Sequence, residues 1–343
     1  VKDVVTLREV ARVAGVHPGT ASRALNDGTR SLVRPETADR VTAAANALGY
    51  KPNYLARSFK TRRTRSVGIV IPDINNPLFP PMLRGVEDRL ADDGYVALLA
   101  NTEGNPERQA RIFAGMLDRS VDGLILATAQ RDDPSMTELA GEGIPVVLIN
   151  RVVEDYAFSS VSVDDTAGVR MLVEHLAALG HRRIGHVAGP QSMSTGLARY
   201  RGFMASMAAC GLSVAPETVT FADSFSIEEG ERCGGELFAL DDPPTAVVAA
   251  NDMLAVGCYS AADLSGRRCP EAVSIVGFND MPFMDRMSPP LTTVRIPHYD
   301  IGSQGAELLL DQLRHPDQSL KVIQFVPALV VRGSTAAPHE ESS

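Results

Sequence analysis

The sequence has no tryptophan and only 7 tyrosines and 11 phenylalanines in 343 residues, so it cannot build a broad aromatic surface. Cysteine is scarce too. Cys210, Cys233, Cys258 and Cys269 form no C-x-x-C pair, and no histidine pair stands at zinc-ligand spacing. A disulfide scaffold and a structural zinc site are excluded on that ground, and reduced thiols are the expectation. No apolar run reaches the roughly 18 residues of a membrane span. The first residues lack the apolar stretch of a secretion signal. These absences lead us to expect a soluble cytoplasmic protein with neither metal nor cofactor.

What is present is ordinary in amount and uneven in place. Hydrophobic residues make up 44% and charged residues 22%, as in globular proteins. At roughly 100–200 residues per domain, the length allows two or three domains. The net charge of −9 conceals a split. Residues 1–65 carry 13 Lys/Arg against 5 Asp/Glu, a net of +8, and the rest carry 20 against 37, a net of −17. A basic front on an acidic body suggests a nucleic-acid-binding head.

The front reads as short helices. Thr6 and Glu9 have capping-box spacing, and Leu7, Val10, Ala11 and Ala14 recur at helical period. Gly15 breaks the chain. Pro18 then suits the first turn of a second helix, with Ala21, Ala24 and Leu25 inward. A third helix is expected over about 36–48, with Val41, Ala45 and Leu48 inward. Two short helices across a Gly-containing turn form a helix-turn-helix, whose second helix enters the major groove by its N-terminal end. That end presents His17, Gly19, Thr20 and Arg23. The Arg23 fork matches guanine O6/N7, and Thr20 and Ser22 suit phosphates or base edges. Asn53 can cap a segment over 53–60. It is too short to be a stable isolated helix and is expected to order on DNA.

Beyond residue 65, β-rich apolar runs at 67–71, 96–100, 123–127, 146–149, 184–188, 246–250 and 274–278 alternate with helical stretches. These fall near 80–93, 106–119, 166–179, 197–210, 226–239, 252–264 and 299–314. Continuous apolar strands between helices imply parallel sheets covered on both faces, with ligands at the strand C-termini.

No catalytic pattern stands out. His181 and His186 are five apart, off the i, i+4 spacing of a helical zinc pair. The stretch from Gly189 to Gly196 matches neither G-x-G-x-x-G nor a Walker loop, and no G-x-S-x-G elbow is present. Asp92-Asp93 and Asp132-Asp133 read as solvated surface turns. Met281, Met284 and Met287 read as packing.

Three stretches, Thr6–Val16, Thr20–Asn26 and Pro35–Asn53, resemble the head of the lactose-repressor (LacI/GalR) family, and the likeness runs on to about Gly333. It implies an all-α helix-turn-helix head on an α/β core like type I periplasmic binding proteins, made of two doubly wound parallel-sheet subdomains. The implied boundaries are 1–52 for the head, 53–65 for a hinge helix and linker, 66–334 for the effector-binding and dimerisation core, and 335–343 for a tail. Within the core, an N-subdomain spans about 66–164 and 295–325, and a C-subdomain about 165–294 and 326–334. The crossovers fall near 164, 294 and 325, and the run from Pro289 to Arg295 looks like the family's crossover signature.

The resemblance adds Thr6 and Asn26 to the DNA-contacting set. It implies that Ala56 and Arg57 line the minor groove, with Phe59 wedged into a base step where leucine is usual, and adds Tyr54 and Lys60 to the DNA-contacting set. The alternative is that Tyr54, Leu55 and Phe59 pack on the body. His17-Pro18-Gly19 departs from the family pattern, in which a serine precedes two variable reading residues. Base reading is therefore expected to lean on Arg23, His17 and the hinge. The segment 27–33 looks about two residues long. In the core, the resemblance places Leu78, Phe79, Asn150, Arg151, Asp164, Met193, Thr195, Arg199, Phe225, Asn251 and Asn279 at an effector cleft. Asn150 and Asn279 stand where aspartate is frequent. Arg151 and Arg199 are then left with Asp164 as the one evident counter-ion. An unpaired guanidinium in a cleft is costly, so an effector with a carboxylate or phosphate is expected, with a neutral sugar as the alternative.

The resulting expectation is an allosteric transcriptional regulator, most simply a repressor. It binds a near-palindromic duplex operator as a homodimer through helices around 80–93 and 226–264, and a small-molecule effector releases it. The polar end, 334–343, is too short for a tetramerising helix. The competing reading is a small-molecule receptor or enzyme carrying a vestigial head.

Overall fold

The computed structural model describes residues 5–50, 63–153 and 158–338, without the side chains of Asp27 and Gly28. The chain divides into two compact units, Val1–Thr64 and Arg65–Ser343.

The first unit holds α1 (Leu7–Val13), α2 (Pro18–Ala24), α3 (Asp27–Arg30) and α4 (Pro35–Leu48). Thr6 caps α1 through the full capping box, with the Thr6 N–H donating to Glu9 Oε2 at 2.6 Å. Gly15 turns the chain at φ 62°, and Gly49 ends α4 at φ 65°. The core is small alkyl groups: Val10, Ala11, Ala14, Ala21, Ala24, Ala38, Val41, Ala44 and Ala45. Arg40 Nε bridges to the Ala14 carbonyl at 2.9 Å, tying α4 to the turn. The segment 27–33 contains α3, whose Arg30 bonds Thr42 and pairs with Asp39 at 2.9 Å.

The second unit has two lobes, each with one six-stranded sheet. Lobe 1 holds β1 (Ser66–Ile71), α5 (Phe79–Asp92), β2 (Val96–Asn101), α6 (Pro106–Asp118), β3 (Gly123–Leu126), α7 (Pro134–Gly141), β4 (Val146–Ile149) and β5 (Ser159–Val163). Lobe 2 holds α8 (Asp165–Ala178), β6 (Ile184–Ala188), α9 (Ser194–Ala209), β7 (Val219–Phe221), α10 (Ile227–Phe238), β8 (Ala246–Ala249), α11 (Asp252–Leu264), β9 (Ser274–Asn279) and β10 (Thr292–Arg295). The chain then returns to lobe 1 with α12 (His298–Arg314) and β11 (Val322–Phe325). It ends in lobe 2 with β12 (Ala328–Val330).

Strand order is β11-β5-β4-β3-β1-β2 in lobe 1 and β12-β10-β9-β8-β6-β7 in lobe 2. All pairs are parallel except β10–β12. The chain therefore changes sheet between β5 and α8, between β10 and α12, and between β11 and β12.

The apolar-run reading passes over β5, β7, β10, β11, β12 and α7. Ser159-Ser-Val-Ser-Val163 shows why: Ser159 and Ser160 are polar yet buried, and Ser159 Oγ accepts from Gln312 Nε2 at 2.7 Å and from the Lys321 N–H at 3.1 Å. Two supposed surface acids are also engaged. Asp93 binds both Arg89 and Arg314 at 2.5 Å, and Asp133 is buried, capping α7 and accepting from Gln109 Nε2 at 2.8 Å. Met281 and Met284 are buried, and Met287 packs on the same core. His181 is buried against Thr245, Ser274 and the Ala336 carbonyl. His186 stacks on Phe203 with its Nδ1 2.7 Å from the Val248 carbonyl, and burial pushes its pKa down to about 4. Neither histidine is placed for proton transfer to a ligand.

Candidate functional site

In the head, His17 is the N-cap of α2, and its Nδ1 accepts from the Gly19 N–H at 3.1 Å. That bond requires the tautomer with the proton on Nε2, so the exposed edge of His17 offers one donor. Arg23 is exposed and folds back along the helix, its Nε donating to the Gly19 carbonyl at 3.2 Å. A Cβ at Gly19 would stand 3.2 Å from His17 Nδ1 and 4.0 Å from Arg23 Nη2. The bare glycine thus leaves these two side chains side by side. Thr20 and Ser22 are half-buried on the same short helix, and Asn26 is half-buried just past its end. The Thr6 hydroxyl, expected at DNA, is engaged with Glu9 in the cap. Tyr54, Ala56, Arg57, Phe59 and Lys60 lie outside the described residues.

In the core, strand C-termini of both lobes meet at a cleft, as doubly wound sheets dictate. One cavity there has a free volume of about 20 Å³, room for one or two waters. Lobe 1 lines it with Asn76, Leu78, Phe79, Asn150 and Arg151, and lobe 2 with Thr195, Arg199, Phe225, Asn251 and Asn279. Asn150 and Asn279 occupy the left-handed region at φ 66° and 117°. Asparagine tolerates the left-handed region better than most residues. Asn251 caps α11, its Oδ1 accepting from the Leu254 N–H at 2.9 Å. The glycine-bounded loop 189–196 makes room for Phe225: a Cβ at Gly189 would meet its ring at 2.4 Å.

A second cavity of about 100 Å³ opens behind Arg151, almost entirely in lobe 1. Its walls include Thr102, Gln109, Thr128, Gln130, Asp132 and Asp133, with Met193 from lobe 2. Across the lobes, the Arg131 N–H donates to the Ser192 carbonyl at 2.9 Å, and Arg131 Nη1 to the Gln191 carbonyl at 3.0 Å. The Val152 N–H donates to Ser194 Oγ, also at 3.0 Å.

Two sequence expectations are corrected here. Asp164 does not line the first cavity; it caps α8, accepting from the Ala167 N–H at 2.9 Å. Met193 faces the second cavity instead of the first. The counter-ion of Arg199 is the next residue, Asp165, at 2.7 Å from Arg199 Nε. Arg199 also donates to the Ala250 carbonyl at 2.7 Å and to Asn279 Oδ1 at 3.4 Å, and lies 3.8 Å over the Phe278 ring. Arg199 is therefore paired. Burial raises the Asp165 pKa, and Arg199 opposes that shift.

Arg151 is different. It is 7% exposed, and its Nε has no hydrogen-bond partner among the described residues. Burial, helped by the like charge of Arg199, pushes its pKa down to about 10, so it is a cation at neutral pH. Asn76 lines the first cavity without having been singled out in the sequence. Its place in the loop after β1 was the available signal.

Comparison with known proteins agrees with this layout. Residues 6–53 match the model of bacterial regulatory proteins of the lacI family, and 173–335 match a periplasmic binding protein-like domain. The chain is 31% identical to the transcriptional repressor CytR of Escherichia coli K12 over 334 residues, covering 97% of this chain and 96% of that protein. It is 32% identical to the ribose operon repressor of Bacillus subtilis 168, covering 97% and 99%. A lac repressor dimer bound to operator and the anti-inducer ONPF superposes with a TM-score of 0.85 at 26% identity, covering 97% of this chain and 99% of that one. The regulator CelR in complex with cellobiose superposes at 0.73, with 32% identity and coverage of 96% and 99%. Among the described residues no helix is long and apolar enough to cross a membrane. Head, two-lobed core and whole-length relatives agree: the chain belongs to the LacI family of bacterial regulatory proteins and is a transcriptional repressor of that family, not an enzyme.

Proposed function

We propose that the protein binds a near-palindromic operator in the cytoplasm as a homodimer, and that a small molecule lodging between the lobes releases it. One observation carries the effector half: a cleft with polar side chains from both lobes and a buried cation, Arg151, lacking a partner for Nε. A ligand contacting both lobes links their separation to the chain that leads to the head. A coupling of about 1–3 kcal/mol changes operator affinity roughly 5–150-fold. Dimerisation through α5 and the α10–α11 face doubles the short footprint of one head. Leu264, at the end of α11, is 78% exposed and suits such a contact.

Arg23 and the Nε2 edge of His17 are the base readers, and Thr20 and Ser22 position the helix on phosphates. Arg23→Ala is expected to cost about 1–3 kcal/mol at one base pair of each half-site. Fluorescence anisotropy against single-base operator variants checks this; uniform weakening on every sequence would assign Arg23 to phosphate instead. Phe59 is the minor-groove wedge. Phe59→Ala should weaken specific binding far more than effector binding, and equal loss of both would give it a packing role. The effector carries an acidic group, since Arg151 has no carboxylate partner among the described residues. Calorimetry with matched acids and neutral sugars tests this, and preference for the neutral member refutes it.

A further inference from the structure

The two cavities touching Arg151 have opposite chemistry. The first has two guanidinium groups and four amides in its wall and no carboxylate, because Asp165 is turned to Arg199. The second has two carboxylates. Asp133 accepts from Ser135 and Gln109, but the exposed Asp132 has no such bonds among the described residues. The same cavity holds a second orphan besides Arg151: Thr128 is 4% exposed, and its Oγ1 has no partner among the described residues. A buried hydroxyl left unsatisfied costs free energy unless something else meets it.

Resting on the reading of the cleft as the effector site, we propose that the effector is a two-ended molecule, a slim polyhydroxy acid. Its acidic group sits on the first-cavity side of Arg151. Its hydroxyl-bearing end reaches the second cavity, where Thr128 and Asp132 accept from it. A carboxylate placed the other way round would face Asp132 and Asp133. A chain of hydroxyl-bearing carbons suits two small cavities that share Arg151 better than a bulky fused ring does. Arg151 forms the wall between them and selects the acid, and Thr128 selects the hydroxylated end. The lobes part to admit the ligand, since the first cavity has room for only one or two waters.

The test uses the full-length protein and calorimetry with three six-carbon probes: gluconate, its neutral alditol glucitol, and hexanoate. Gluconate is expected to bind at least about tenfold more tightly than either of the others, each of which lacks one end. Arg151→Gln should abolish the preference for gluconate over glucitol. Thr128→Val should lower gluconate affinity about three- to tenfold and leave hexanoate unchanged. It should also keep or raise the melting temperature, because it deletes an unsatisfied hydroxyl. A residue with only a structural role would not separate these readouts.

Glucitol or hexanoate binding as tightly as gluconate overturns the proposal. So does unchanged gluconate affinity in Thr128→Val, or no binding by any probe. The cleft reading fails separately. If a cell metabolite releases operator and Phe225→Ala blocks that release, the cleft stands and only the two-ended ligand falls. If release persists in both Phe225→Ala and Arg151→Gln, the cleft itself is not the effector site.

Discussion

Arg199→Ala should unfold the core at markedly lower denaturant and abolish the effector response. The side chains of Arg199 and Asp165 are only 4% and 12% exposed. Removing the guanidinium leaves a carboxylate uncompensated in a low-dielectric site, which costs about 3–5 kcal/mol. It also orphans the Ala250 carbonyl, bonded at 2.7 Å, and uncovers the Phe278 face. For a body of this size the loss corresponds to a fall in melting temperature of roughly 10 °C.

Urea unfolding of the effector-binding unit measures the loss. Arg199→Met combined with Asp165→Asn should recover much of it, since exchanging both members of a buried pair is often neutral. A single mutant as stable as wild type would show that Arg199 is held by ligand rather than by Asp165. Below the unfolding range, operator affinity should survive, because the head contributes none of these atoms.

Gly257→Ala is the second large effect. Helices α10 and α11 cross in lobe 2 with a glycine from each at the contact. A Cβ on Gly257 would lie 2.1 Å from the Ile227 carbonyl oxygen and 2.4 Å from the Glu231 nitrogen. One on Gly230 would lie 2.3 Å from the Leu254 carbonyl oxygen. Both obstacles are main chain, so no rotamer relieves the clash, and a whole helix must shift. Overpacking of this kind costs about 3 kcal/mol, the upper end of its usual range. That outweighs the gain of up to about 1 kcal/mol from replacing glycine in a helix.

Gly235 supplies the control. It lies in α10, and a Cβ added there would meet nothing within 4 Å, so Gly235→Ala should hold or raise stability. Equal effects of the two substitutions in urea would mean the helices do not depend on close approach. Lobe 1 repeats the arrangement with Gly85 and Gly302 between α5 and α12, where added Cβ atoms would lie 2.1 Å from the Tyr299 and 1.9 Å from the Met82 carbonyl oxygen.

Much of the fold was legible because it is written in short-range pattern. The capping box at Thr6 and Glu9, the glycine at 15 and the apolar strands at 67–71 and 274–278 each need only a few neighbouring residues to be recognised. β5 was not legible, because its serines look like loop until the partners of Ser159, Gln312 and Lys321, are brought from about 150 residues away. The same holds at the site. The cleft arginines could be named from the sequence, but their pairing could not, and an argument from two unpaired arginines reduces to one.

The sequence alone determined a basic helical head on an acidic α/β receptor, because charge, helical period and apolar runs are local properties. The tertiary structure decided which acid neutralises Arg199, which arginine is left over, and that two chemically opposite cavities meet at Arg151. Asp164 and Asp165 are adjacent identical carboxylates. Only the start of α8 turns one into a helix cap and aims the other at a guanidinium 34 residues away.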